Sequence, residues 1–95
     1  MRFGVDKIPS DLLIDIASNH RTLRKQMGYS QSELARRSGV SLGSLKRFEL
    51  SGQISLESLL KLAHLLGHLN DFEKLLNPIP NLSEIEKLFS DKTRA

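Results

Sequence analysis

The chain has 95 residues, no cysteine and a formal net charge of +3. The lack of cysteine excludes a disulfide framework and a thiolate metal site, and a domain this small is not expected to enclose a deep catalytic cleft. No apolar run is long enough to cross a bilayer and the N-terminus lacks a signal-peptide pattern, so we expect a cytoplasmic protein without a membrane partner.

The spacing of the apolar residues predicts an all-α chain, because they recur every three to four positions and rarely alternate with period two. The first helix is predicted to start after Pro9, with Ser10 as its N-cap, and to stop at Gly28. Seven residues would share its inward side: Leu13, Ile16, Ala17, His20, Leu23, Arg24 and Met27.

The second helix is predicted to begin after Ser30. A serine followed three residues later by Glu33 is the pattern of a capping box, in which two backbone donors at the start of a helix find side-chain partners. The helix would end near Ser38, and Gly39 would supply the left-handed residue of the next turn.

The third helix is predicted between residues 42 and 50, with Ser41 as its cap and Val40 as an apolar plug in the preceding turn. Its inward residues would be Leu45 and Phe48. Because these two positions define the buried side, the opposite side of the helix is free to meet a partner.

Three further segments follow along the chain. A helix starting at Ser55 and ended by Gly67 would carry an apolar stripe, made of Leu56, Leu59, Leu60, Ala63 and Leu66. A fifth segment covers residues 70–76, after which Pro78 and Pro80 forbid continued helix. Residues 82–89 could form one more short amphipathic helix, and we expect disorder at 90–95.

Basic charge is concentrated in one part of the chain. Between His20 and Gln53 seven basic residues face two acidic ones, a net charge of +5, whereas the remainder sums to −2. Such a distribution is expected when one face meets phosphates. Four of these residues would, without a surrounding motif, more often form a solvated charged face: Arg36, Arg37, Lys46 and Arg47.

The combined pattern resembles the Cro/CI-type (XRE) family of helix-turn-helix transcriptional regulators. The residues that carry the resemblance are Leu23-Arg24, Tyr29-Ser30-Gln31-Ser32-Glu33-Leu34-Ala35, Gly39-Val40-Ser41, Leu45, Phe48-Glu49 and Ser55-Leu56-Glu57-Ser58-Leu59-Leu60-Lys61-Leu62-Ala63. The resemblance implies a compact five-helix, lambda-repressor-like DNA-binding domain over residues 10–76, with its helix-turn-helix unit at 30–50. Residues 1–9 would form an N-terminal segment and residues 77–95 a tail for dimer or partner contact. The long link after the third helix is similar to that of HipB-like antitoxins.

The outward residues of the third helix are the candidates for reading DNA. Arg47 can bind guanine O6 and N7 together, whereas Lys46 is suited to a phosphate. Gln31 matches the family glutamine that touches the DNA backbone and braces the recognition helix. The expected base contacts are Leu42, Gly43, Ser44 and Arg47. The expected backbone contacts are Arg21, Gln31, Ser41, Lys46, Gly52 and Gln53.

Arg24 and Glu49 are expected to serve the scaffold. The family resemblance implies that they pair between the first and third helices, and the alternative is that Arg24 contacts DNA. A partly buried pair of this kind need not add net stability.

The histidines offer a possible metal site. His64 and His68 are four residues apart, which suits zinc on a helix, but Gly67 is predicted to end that helix and no cysteine completes the set. We therefore expect structural or surface histidines, with His20 as a helix-packing residue. No metal, cofactor or catalytic residues are predicted, and we expect no enzymatic activity.

The end of the chain is rich in apolar residues, which favours a homodimer or partner contact over packing within one chain. The candidates are Phe72, Leu75, Leu76, Ile79, Leu82, Ile85, Leu88 and Phe89. The function predicted overall is a sequence-specific repressor that binds a palindromic double-stranded DNA operator as a dimer, with a toxin protein as a further possible partner. The alternative is a helical protein-interaction module without specific DNA binding.

Overall fold

The computed structural model describes residues 7–93, which contain five α-helices, one 3₁₀ helix and no strand in that range. The helices are α1 (Pro9–Gln26), α2 (Gln31–Ser38), α3 (Leu42–Ser51), α4 (Leu56–Leu65) and α5 (Leu82–Thr93), with the 3₁₀ helix Leu69–Phe72 after α4. The all-α, lambda-repressor-like fold is thereby confirmed. Residues 1–6 and 94–95, and the side chains at 82, 84 and 90–93, lie outside the described part.

Serine caps begin three of the helices, as predicted. Ser30 Oγ accepts a hydrogen bond from the N–H of Glu33 at 3.0 Å, and Ser41 and Ser55 cap α3 and α4 in the same way. The second half of the predicted capping box is wrong, because the carboxylate of Glu33 binds Arg36 and Arg37 instead. Each serine oxygen satisfies a backbone donor that has no partner inside its helix.

The start of α1 differs from the prediction that Ser10 is its cap. The cap residue is Ile8, and Pro9 occupies the first helical position, where its missing N–H costs no hydrogen bond. Asp11 Oδ2 accepts a hydrogen bond from the backbone N–H of Ile8 at 3.2 Å. Ser10 therefore lies within the first turn.

The core joins α1, α2, α3 and α4. α1 packs against α3, whereas α2 contacts both α3 and α4. The buried apolar cluster consists of Ala17, Leu34, Ala35, Val40, Leu45, Phe48, Leu62 and Leu66. Leu56 was expected in the apolar stripe, but it is the first residue of α4 and its side chain is 64% exposed. Leu62, which was not among the residues predicted for the stripe, is fully buried.

The chain after α4 departs further from the prediction. The expected helix over 70–76 is wrong, because only Leu69–Phe72 forms a 3₁₀ helix and Leu76 adopts a left-handed φ of 57°. α5 is longer than predicted and runs to Thr93, so the disorder expected at 90–95 is wrong for 90–93. Within the described chain α5 does not pack along another element.

Candidate nucleic-acid interface

The turn between α2 and α3 sets the direction of the candidate recognition helix. Gly39 has φ 78°, and its N–H donates to the carbonyl oxygen of Ala35 at 3.1 Å. Val40 follows and is buried, which fixes the turn to the core. α3 therefore starts from an anchored point, and its orientation follows from the glycine conformation and the apolar plug.

α3 has one buried side and one open side. Leu45 and Phe48 are buried, whereas Gly43, Lys46 and Arg47 are exposed. Leu42 departs from the prediction that it faces the groove, because it lies only two residues after buried Val40 and packs, half-buried, against the core. The outward face is thus narrower than the sequence indicated.

A cleft beside Arg47 is lined by several of the predicted DNA contacts. Its lining consists of Ser44, Arg47, Gln53, Ile54, Ser55 and Ser58. Ser41 Oγ donates a hydrogen bond to Ser44 Oγ at 2.8 Å, so both hydroxyls are oriented by the helix cap. The structure therefore places the expected base contacts Ser44 and Arg47 next to Gln53.

A second cleft lies where α1, α2 and α3 meet. Arg21 of α1, Gln31 of α2 and Lys46 of α3 all line it. Leu50 lies in the same lining and is 87% exposed, although sequence reasoning did not assign it to the site. The signal was available, since Leu50 follows Lys46 by four positions and therefore shares its helix side.

Glu49 is the centre of a buried polar network that supports this cleft. Its side chain is 4% exposed and accepts hydrogen bonds from Arg24 Nε at 2.8 Å and Arg24 Nη2 at 2.9 Å. His20 Nδ1 lies 2.8 Å from Glu49 Oε2, and Gln31 Nε2 donates to Oε1 at 3.0 Å. Arg24 Nη1 also donates to the carbonyl oxygen of Tyr29 at 2.8 Å. The pair that the resemblance implied is present and ties α1, α2 and α3 together.

The network shifts the pKa values of two of its members downward. Burial alone raises the pKa of Glu49, but hydrogen bonds from Arg24 and Gln31 and the charge of Arg24 outweigh it. For His20, burial lowers the pKa more than Glu49 raises it. Both groups bind protons less readily in the folded state. Each group therefore contributes to stability at a pH above its ordinary pKa, which is 4.5 for Glu49 and 6.5 for His20. That contribution is lost as the pH falls through the lowered pKa of the group in the folded state.

Gly52 was predicted to contact the DNA backbone, and the structure corrects this. The residue is buried, and its N–H donates to the carbonyl oxygen of Phe48 at 2.7 Å. A Cβ at this position would lie 2.7 Å from the backbone oxygen of Leu13. Gly52 therefore serves the close approach of the α3 end to α1, and its donor is not open to a phosphate.

The basic residues of the charge-rich segment fall into two groups. Glu33 accepts hydrogen bonds from Arg36 and Arg37 at 2.9 Å each, and the Arg37 guanidinium lies 5.4 Å from the centre of the Tyr29 ring. These two arginines form the solvated, paired face that was the alternative interpretation. Within residues 7–93, three exposed cations of the clefts have no ion pair: Arg21, Lys46 and Arg47.

The histidines occupy separate places. His64 is exposed, and His68 Nδ1 lies 3.0 Å from Asp71 Oδ2. His20 packs edge-on against Phe48 at a centroid distance of 5.0 Å. Among the described residues no group of three His, Asp or Glu side chains is placed to hold a metal ion.

The apolar residues at the end of the chain do not behave alike. Phe72 is half-buried and lines a cavity beside α1 and α4. Ile85 is half-buried as well, and the side chain of Leu82 lies outside the described part. The exposed ones are Leu75, Leu76, Ile79, Leu88 and Phe89.

The two short helices, the glycine turn and the basic outward side of α3 together define a helix-turn-helix DNA-binding domain. The sequence pattern of the helix-turn-helix family matches residues 21–74, more than half of the chain, and the protein belongs to this family as an XRE-type DNA-binding regulator. Neither a curated protein nor a solved structure matches the chain significantly. In the described part of the chain no helix has the length and apolar character required to span a membrane.

Proposed function

We propose that the protein is a repressor that recognises a specific palindromic operator as a dimer. The observation that carries the proposal is the outward side of α3, where Lys46 and Arg47 are exposed while Leu45 and Phe48 are buried. A helix can enter the major groove only when its outer residues are not needed by the core. α3 meets that condition from Gly43 onward.

Each exposed group has a role that suits its chemistry. Arg47 reads a base, because its planar fork matches the two acceptors of guanine. Gly43 permits close approach of the helix, and Ser44 lies at the edge of the same surface. Lys46 and Arg21 hold phosphates beside the first turn of α2, whose free N–H groups favour an anion. Backbone contacts are completed by Gln31, Ser41 and Gln53.

Substitution of Arg47 and of Lys46 should have different effects on DNA binding. Arg47→Ala is expected to relax preference at one base pair by about 1 to 3 kcal/mol, because the bidentate contact is lost. Lys46→Ala is expected to weaken all sequences alike and to lower the salt slope by about one, because one phosphate contact is lost. A selected operator and its single-base variants, titrated by fluorescence anisotropy at several salt concentrations, distinguish these outcomes.

The matched control is Arg36→Ala. Arg36 is also an exposed arginine of this segment, but it pairs with Glu33 on α2. Its removal should leave base preference and salt slope unchanged. If Arg47→Ala and Lys46→Ala both bind the operator as the parent does, α3 is not the reading surface. If no duplex binds even at low salt, the protein-interaction module is the better assignment.

The tail is proposed to supply the dimer contact. Leu88 on α5 is 60% exposed and α5 packs along no other described element, so its apolar side is available to a second copy. Light scattering after size exclusion is expected to show a dimer that Leu88→Lys weakens. Leu56→Lys is the control, since Leu56 is exposed to a similar degree on α4. A dimer that survives Leu88→Lys, or a monomer that occupies one half-site alone, would refute this contact.

An antitoxin role is the finer form of the proposal. It rests on the link after α3, which is similar to that of HipB-like antitoxins, and on the exposed apolar residues of the tail, which suit a protein partner. Co-purification with the neighbouring gene product separates this role from that of a stand-alone repressor. Both roles share the same DNA-binding surface.

A further inference from the structure

Leu50 is an apolar side chain in the polar cleft where α1, α2 and α3 meet. It is 87% exposed, and the cleft around it is lined by Arg21, Gln31 and Lys46. Among the described residues of α2 and α3, no other large apolar side chain is exposed. Leu50 is not among the proposed DNA contacts, although it lies between them.

The exposure of Leu50 is fixed by its neighbours in the chain. Phe48 is 1% exposed in the apolar core, and the side chain of Glu49 is 4% exposed in its polar network. Gly52 is buried and lies against the backbone of Leu13. Because residues on both sides of Leu50 are anchored, the last turn of α3 holds this side chain on its outer surface.

The side chain of Leu50 points between the two groups of α3 that are proposed to meet DNA. An α-helix turns by about 100° per residue, so Leu50 lies about 40° from Lys46 around the helix axis and about 60° from Arg47 on the other side. Lys46 is proposed to hold a phosphate and Arg47 to read a base. With α3 in the major groove, Leu50 therefore faces the part of a base edge that lies nearest to the backbone.

The major groove offers one apolar group at that place. Its base edges carry hydrogen-bond donors and acceptors, and the exception is the 5-methyl group of thymine. That methyl group lies on the backbone side of the edge, because C5 is bonded to C6, which is bonded to the nitrogen that carries the sugar. A leucine that covers this methyl group removes two apolar surfaces from water. A leucine that covers a phosphate or a base amide would remove hydration without supplying a hydrogen bond.

We propose that Leu50 contacts the 5-methyl group of a thymine in the operator and so selects that base. This contact rests on the proposed binding of an operator by α3. Residues three apart on a helix have Cβ atoms about 5 to 6 Å from each other, and neighbouring base pairs are about 3.4 Å apart. The thymine is therefore expected within two base pairs of the pair that Arg47 reads.

Replacement of thymine by uracil isolates the methyl group, because the two bases have the same hydrogen-bonding groups. Each thymine of a selected operator is replaced in turn, and the binding of the parent protein and of Leu50→Ala is measured by fluorescence anisotropy. At one thymine per half-site, uracil is expected to weaken binding of the parent about fourfold, the effect of one methyl group left in water. Leu50→Ala is expected to bind the thymine and uracil operators equally well at that position, as a direct contact requires.

Leu12→Ala is the matched control. Leu12 is a leucine of α1 that is 50% exposed and lines neither of the two clefts, so this variant should keep the preference for thymine. The assignment is wrong if no thymine within two base pairs of the position read by Arg47 shows the preference. It is also wrong if Leu50→Ala retains the preference.

The base preference of Arg47→Ala separates this contact from the proposed binding of an operator. If Arg47→Ala relaxes base preference while uracil has no effect on the parent, α3 reads DNA and the leucine contact alone fails. If the parent binds no duplex, both proposals fail. If Leu50→Ala lowers the dimer mass in light scattering and uracil has no effect, a second copy covers Leu50 and the methyl contact is refuted.

Discussion

Replacement of Glu49 by alanine is expected to lower the free energy of unfolding by about 3 to 5 kcal/mol. The variant removes the carboxylate that accepts hydrogen bonds from Arg24, His20 and Gln31, and it leaves the buried guanidinium of Arg24 without a counter-charge. Small domains have only about 5 to 15 kcal/mol of stability, so the loss is a large part of the total. Urea denaturation followed by circular dichroism measures it.

Glu33→Ala is the control for this effect. Glu33 also binds two arginines at 2.9 Å, but its side chain is 35% exposed and the pairs lie on the surface of α2. The urea midpoint should hardly change, because exposed ion pairs contribute little. Similar losses in the two variants would mean that burial does not set the value of the Glu49 network.

Gly52→Ala is expected to destabilise the protein by about 2 to 5 kcal/mol. The residue has φ 82°, which costs about 1 to 2 kcal/mol for an L-residue. Its Cβ would also lie 2.7 Å from the backbone oxygen of Leu13, and relief of that overlap adds about 1 to 3 kcal/mol. Thermal and urea unfolding of the purified variant provide the measurement.

The strain alone is isolated by Gly39→Ala. Gly39 has φ 78°, but no atom lies within 4 Å of the position of its Cβ. Only the conformational cost of about 1 to 2 kcal/mol is then expected. Equal losses at the two glycines would show that the approach of α1 to the end of α3 is not tight, and the corrected role of Gly52 would fail.

The scaffold and the proposed reading surface are linked through single residues. Phe48 and Glu49 are neighbours on α3, one buried in the apolar core and the other in the polar network. Gln31, whose first turn is proposed to meet phosphate, donates to that same Glu49. The orientation of α3 and the geometry of the α2 start are therefore held by one carboxylate.

Local signals were sufficient for most of the helix boundaries. Ser30, Ser41 and Ser55 cap their helices because a serine oxygen satisfies a nearby backbone N–H, whatever the rest of the fold does. Gly28 and Gly39 end segments because their positive φ is cheap only for glycine. Helical spacing likewise placed Leu45 and Phe48 inside, since positions three apart share a side.

The errors arose where two distant segments meet or where several partners compete. Nothing local to Gly52 shows that Leu13 approaches it, and nothing local to Leu42 shows that it packs against the core. The carboxylate of Glu33 could accept either from the backbone N–H at the helix cap or from two nearby arginines. In the structure it binds the arginines. In the 70–76 segment, apolar spacing predicted a helix. The structure has only a 3₁₀ helix that ends at Phe72, and Leu76 adopts a left-handed backbone conformation.

The sequence by itself determined the all-α class, the capped helix-turn-helix unit and the outward position of Lys46 and Arg47, because these depend on contacts within a few residues of the chain. The tertiary structure alone decided which polar groups are buried. Glu49 gathers Arg24, His20 and Gln31 only when α1, α2 and α3 pack together. The physical reason is that solvent exclusion and long-range hydrogen bonds depend on distances between segments, which no local pattern encodes.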